Sequence, residues 1–215
     1  YALFELIIER RERREVEKEA AEARKAELIA KMGSIVRDVA VPAADELRRR
    51  GWLTDGSLEG ATLRYANLEG VCLDDAYLKQ AFLARASLKS ATLRGACLEQ
   101  ANLGEAYLSG VNLAGANLRR AYVANSDLYD ANLEDANLEA ATLWVATFQR
   151  ANLRKANLVG ADMELADLED ANLEDASLKT ANLESATLWD ANLTGVELAH
   201  ANLKEALMEG ASVTA

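Results

Sequence analysis

The sequence predicts an all-β, four-sided solenoid of about eight coils, preceded by an α-helical N-terminal segment, and three observations predict it. From Gly56 to the last residue an A-x-L unit returns every five residues, as ATL, ANL, AYL, AFL, ASL and ACL, without a slip. The second apolar residue of each unit, its centre, falls at positions ending in 3 or 8 from Leu58 to Val213, and is Leu except at Val123, Phe148, Met163, Met208 and Val213. The residue two before each centre is Ala except at Gly56, Val71, Val111, Ser126 and Val196. A period of five fits neither the 3.6 of a helix nor the 2 of a strand, and such fidelity marks a repeat architecture. A chain that turns a corner every five residues points one small and one large side chain inward on each side. Four sides close a coil of 20 residues, so residues 56–215 divide into eight coils. At roughly 4.8 Å per coil the rod is roughly 38 Å long.

Tandem A-[NDST]-L-x-x units over residues 56–215 resemble the pentapeptide-repeat family. The resemblance implies a right-handed quadrilateral β-helix. The count of five excludes hexapeptide β-helices, and no leucine-rich consensus of 20 to 29 residues is present.

Three regions follow in order. Residues 1–33 predict a charged helix, a spacer or juxtamembrane element: YALFELII is apolar, Arg10, Arg11, Arg13 and Arg14 follow almost at once, and residues 9–31 are dense in Glu, Arg, Lys and Ala, all good helix formers. A basic edge beside an apolar run fits the cytoplasmic end of a membrane helix, and equally an amphipathic helix packed on a partner or on the rod. With KMGS and ADELRRRGWLTDGSL downstream, the segment loosely resembles the link between a membrane anchor and the repeats in some bacterial members of the family. The weak apolar stripe from Val16 to Leu28 predicts a helix standing in solvent. Residues 34–55 predict a short helical cap on the solenoid. Ser34 is the expected N-cap, Pro42 predicts a kink or two short helices, Gly51 is the stop, and Trp52 and Leu53 offer apolar faces to plug the first coil, since solenoids require capped ends. Residues 56–215 are the repeats.

Charge is unevenly shared. The chain carries a net −11, and residues 1–55 balance twelve acids with twelve bases, so the whole excess sits on the solenoid. An acidic rod repels nucleic acid and anionic membranes and attracts basic proteins. Cys72 and Cys97 lie on different sides a coil apart and face outward, so no disulfide is expected and a reducing, cytoplasmic setting fits, at the inner face of the membrane if the anchor is real. No run of 18 apolar residues is present to span a membrane.

Three positions per unit face solvent. Numbering the sides from Leu58, Leu63, Leu68 and Leu73, the fourth stacks Asn112, Asn132, Asn152, Asn172 and Asn192 into an amide ladder that predicts hydrogen bonding along the rod. The third side is the most acidic, with Asp127, Asp130, Asp167, Glu169, Asp170, Asp190 and Glu209 among its acids, and is the side expected to meet a basic partner. Trp144, Val145, Val159 and Leu165 form an expected apolar corner on coils five and six, with Tyr129 and Trp189 outward on the third side. Contiguous apolar surface marks contacts, and exposed Trp favours hot spots. At the far end, Leu198, Leu203, Met208 and Val213, with Leu207 beside them, form an open face that predicts end-to-end homodimerisation.

Catalytic chemistry is missing. His200 is the lone histidine, no phosphate-binding glycine loop or Ca-loop pattern occurs, and the carboxylate pairs lie on a convex wet surface with nothing to shift their pKa. No enzyme activity, cofactor or metal is expected. The sequence therefore points to a rigid scaffold for protein partners, tethered to a membrane if an anchor precedes residue 1. The alternative comes from the family resemblance: some members mimic duplex DNA and modulate a type II topoisomerase. Duplex carries one phosphate per ~1.7 Å, so 38 Å of it holds about 22 charges, twice the net charge here.

Overall fold

The computed structural model describes residues 2–213, with side chains from residue 7 onward. The side chains of residues 1–6, most of the expected apolar start, lie outside it. Two helices precede the repeats, α1 (Ala2–Met32) and α2 (Arg37–Arg49).

Residues 7–20 of α1 are exposed on every face, as a solvent-standing helix requires, but the last turns are not. Leu28 and Met32 are buried against α2 and the first coil. Arg24 reaches Glu46 of α2 at 2.6 Å, and Lys25 reaches Asp55 at 3.0 Å. The expectation of a free helix up to residue 33 is thus corrected: two well-placed apolar residues dock the end of α1, although the stripe as a whole is too weak to signal it. Gly33 permits the approach, because a Cβ there would stand 2.9 Å from the Thr62 carbonyl oxygen.

Further expectations for the cap are corrected. Ser34 is not the N-cap of α2; Val36 is, and Ser34 Oγ accepts the Val36 amide at 3.1 Å. Pro42 does not split the helix, because Ala40, Ala43, Ala44 and Leu47 bury one continuous face. The stop is as expected. Gly51 at φ 71° donates to Arg48 O and Trp52 to Leu47 O, the paired bonds of a Schellman turn. Leu53 is buried under the first coil, whereas Trp52 stays half-buried between Lys25 and Arg50, 5.3 and 4.9 Å from its ring. The cap also replaces a missing preceding coil. Asn67 donates to Ser34 O at 2.8 Å and Tyr77 to Leu53 O at 2.7 Å.

From Thr62 the chain pairs with itself in parallel at a spacing of 20, as in Asn112↔Asn132↔Asn152. Each side contributes a single bridging residue rather than a long strand, since a two-residue turn follows each centre from Leu63 to Met208 directly. Leu93 donates to Asn112 O at 2.7 Å and Asn112 to Ala91 O at 2.9 Å, and the same two bonds recur coil after coil. Centres and their small partners stack into a dry column. Phe148 replaces Leu as an inward centre and is fully buried. Ser126, the buried polar exception, donates to Leu103 O at 2.7 Å.

The second turn residue of most units is left-handed. Non-glycine positions such as Tyr65, Asp75, Asp130 and Val145 sit at φ between 53° and 62°. This conformation costs most for β-branched residues.

Candidate interaction surfaces

On the solenoid, any site must be built from the outward columns. On the fourth side the amide ladder forms in two runs: Asn132 Nδ2 donates to Asn112 Oδ1 at 3.4 Å and Asn152 to Asn132 at 3.1 Å, and separately Asn192 donates to Asn172 at 3.0 Å. Each Oδ1 also accepts the amide two residues on, as Asn132 does from Glu134 at 3.1 Å. A second ladder, Asn117–Asn137–Asn157, runs down the first side. These amides satisfy one another and serve the rod.

Most bases are likewise engaged one coil away. Arg119 bridges Glu99 and Glu139 at 3.7 and 3.4 Å, Arg85 pairs with Glu105 at 2.8 Å, and Arg154 with Glu134 at 2.5 Å. The Glu184 carboxylate is held below its ordinary range by hydrogen bonds from Lys204 and then Asn202.

On the third side, Asp130 is paired with Arg150 at 3.2 Å, and Asp167 and Glu169 accept from Gln149 Nε2 at 2.8 and 3.2 Å. Asp127 accepts the Tyr129 amide. Glu169, Asp190 and Glu209 line an open recess with Trp189, while Asp170 stands exposed beside it.

The apolar corner is only partly as expected. Trp144, Val145 and Leu165 are 39, 38 and 52% exposed, Val145 and Leu165 in one turn column and Trp144 in the next. Val159 does not join them. It is half-buried and belongs to the turn of the first side, so the width of the second side separates it from Leu165. Tyr129 is also half-buried, its hydroxyl accepting from Arg150 at 2.9 Å. Trp189 is exposed, across the third side from the corner.

Residues not singled out from sequence extend the patch. Tyr65, Phe82 and Tyr122 are exposed on the second side and its turn, with Tyr107 just beyond. Their signal was available: stacking positions at period 20 puts Phe82 and Tyr122 in one column beside the small column Ala84, Gly104, Ala124. At the far end Leu198, Leu203 and Met208 are less buried than their fully enclosed counterparts, and Leu207 and Val213 are 48 and 63% exposed.

Among the described residues, no three His, Cys, Asp or Glu side chains are placed to hold a metal ion, and no helix is long and apolar enough to cross a membrane. Both cysteines are free and half-buried.

The model of pentapeptide repeats matches residues 49–80, 73–104, 106–144, 146–184 and 176–214. The chain belongs to the pentapeptide-repeat family. A solved relative, HetL of the cyanobacterium Nostoc sp. strain PCC 7120, involved in heterocyst differentiation regulation, is 32% identical; the match covers 71% of this chain and 83% of HetL, at a TM-score of 0.44. A pentapeptide-repeat protein of the Arabidopsis thaliana thylakoid lumen is also 32% identical, over 49% of this chain and 63% of that one, with a TM-score of 0.32. QnrB1, a plasmid-mediated fluoroquinolone resistance protein, is 16% identical over 68% of this chain and 84% of its own, at a TM-score of 0.41. Comparison with curated proteins gives no match. As a pentapeptide-repeat protein the chain presents solenoid sides, and its individuality lies in what those sides carry.

Proposed function

We propose that this protein is a non-catalytic rigid scaffold that binds other proteins through the second side and the adjoining corner. One observation carries the reading. Val145 is β-branched, exposed and held at φ 56°, where Gly, Asn or Asp would cost less and dissolve better. Local strain at an exposed apolar residue, flanked by Trp144 and Leu165, supports a contact role. The acidic third side with its Trp189 recess is a second contact suited to basic partners, and the partly buried centres Leu198, Leu203 and Met208 favour end-to-end stacking of two copies. The exposed arm of α1 is the element through which a tether at the cytoplasmic face of a membrane would act. Partner capture from cells by wild type and Val145→Glu tests the main reading: the variant should fold normally and lose partners, and an unchanged set of partners overturns it.

The carboxylates on three sides of coil six, Asp162, Glu164, Asp167, Glu169, Asp170, Glu174 and Asp175, favour a second reading, a DNA-mimicking modulator of a type II topoisomerase. Against it, Lys79, Arg85, Lys89 and Arg94 make coil two basic, which breaks any duplex-like field. A supercoiling assay decides: inhibition at micromolar protein supports the mimic.

A further inference from the structure

Charge is sorted along the rod as well as around it. Coil two, residues 76–95, carries Lys79, Arg85, Lys89 and Arg94 and no acid, whereas coil six, residues 156–175, carries Asp162, Glu164, Asp167, Glu169, Asp170, Glu174 and Asp175 and no base. Three of the four bases on the coils next to coil six reach away from it: Arg150 to Asp130, Arg154 to Glu134, Lys179 to Glu197. Coils two and six are equally far from coil four. Between them the second side alternates exposed apolar residues with Asn102, Glu105, Asn125 and Thr142. Phe82 stands exposed on coil two, Tyr122 on coil four, Trp144 on coil five and Leu165 on coil six, and the Tyr122 ring lies over Gly104 of coil three.

We propose that the second side is a self-complementary interface on which two copies of this chain pack antiparallel, about a two-fold axis at coil four. An isologous contact needs each patch to find its complement on an identical surface, and end-for-end reversal supplies this. Coil two of one copy faces coil six of the other, so Arg85 meets Glu164, and Asp162 meets Phe82 with Arg64 stacked on its ring, and each contact is made twice. Tyr122 meets its own counterpart, and Trp144 lies opposite Gly104, where it meets the Tyr122 ring that covers that glycine. Glu105 and Tyr65 hold the Arg85 guanidinium at 2.9 to 3.3 Å, which fixes it on this face. The proposal rests on the reading of the Trp144, Val145 and Leu165 corner as a contact surface and names its occupant as a second copy. Five coils span ~24 Å at ~4.8 Å each. One side of that length belongs to the small-interface class, below about 1,200 Å² in total, so the dimer is weak and, with exposed charges at its ends, weakened by salt.

Sedimentation velocity over roughly 10 to 500 μM, a range that brackets a micromolar Kd, tests this. Wild type should shift from monomer to dimer, less so at high salt. Arg85→Glu and Glu164→Arg should each lose at least about tenfold in association, yet the two variants should dimerise when mixed. In that mixed pair the two substituted positions, 85 and 164, face each other with opposite charge, and the unsubstituted Arg85 and Glu164 meet at the other end. Circular dichroism checks that both variants fold. Wild type that stays monomeric, or variants that associate like wild type, would overturn the proposal. An end-to-end stack through the last coil would survive Arg85→Glu and is thereby told apart. A monomeric wild type that still loses cellular partners on Val145→Glu sinks the dimer alone and leaves the scaffold reading standing.

Discussion

The Tyr122 ring fills the space that a side chain on Gly104, one coil earlier, would need: a Cβ there would stand 2.6 Å from Tyr122 Cε1 and 3.0 Å from Cδ1. Gly104 is not left-handed, so glycine serves here for room, not for conformation. Gly104→Ala should push the ring off the surface, at a cost of about 1 to 2 kcal/mol by overpacking. Urea melts measure it, and a variant as stable as wild type would show that the ring moves freely.

Phe148 and Asn132 separate inward from outward contributions. Phe148→Ala leaves a cavity in the dry column and should cost about 3 to 5 kcal/mol. Asn132 sits in partly exposed hydrogen bonds to Asn112, Asn152 and the Glu134 amide, so Asn132→Ala should cost about 1 to 2 kcal/mol. Denaturation of both variants under one condition checks the ratio; equal losses contradict the account of the column.

Val145→Asn should raise stability by about 0.5 to 1 kcal/mol, since Asn tolerates the left-handed turn that a β-branched residue resists. The same change removes apolar area from the corner and should weaken association. Thermal melts and sedimentation on one sample test both halves, and a destabilised variant would mean that Val145 makes contacts worth more than its strain.

Acid should loosen the cap before the solenoid. Glu46 is held below the ordinary carboxylate range chiefly by the hydrogen bond from Arg24, and Glu27 chiefly by that from Lys31. Partial burial raises Asp55, but hydrogen bonds from Ser57 and Lys25 outweigh it and lower it overall. Carboxylates depressed on folding stabilise above their unfolded pKa, near 4, and that contribution is lost as pH falls through the lower folded values. Hydrogen exchange of the last turns of α1 should therefore speed up relative to the repeats between about pH 4 and pH 2. Protection that persists to the acid end would assign the docking to Leu28 and Met32 alone.

Repetition alone was enough to establish the solenoid, its 20-residue coil and its inward column, because every unit presents the same Ala and Leu to the same surroundings; Phe148 could be placed inside from its register. The amide ladder on Asn112 to Asn192 was legible for the same reason, being a column of identical residues. What depends on neighbours twenty residues away, or beyond the repeats, had to come from the folded chain. Arg150 had acids on either side and turns to Asp130, leaving the acids of coil six without its charge. Val159 looked adjacent to Leu165 in sequence and is parted from it by the width of a side, since successive turns occupy different corners. Met32 is buried although its helix shows almost no stripe, because two residues suffice to dock an end and a periodic signal needs many. The left-handed turn at Val145 was likewise invisible: the five-residue period fixes where the chain bends, while closing the square fixes the backbone angle that each bend must adopt.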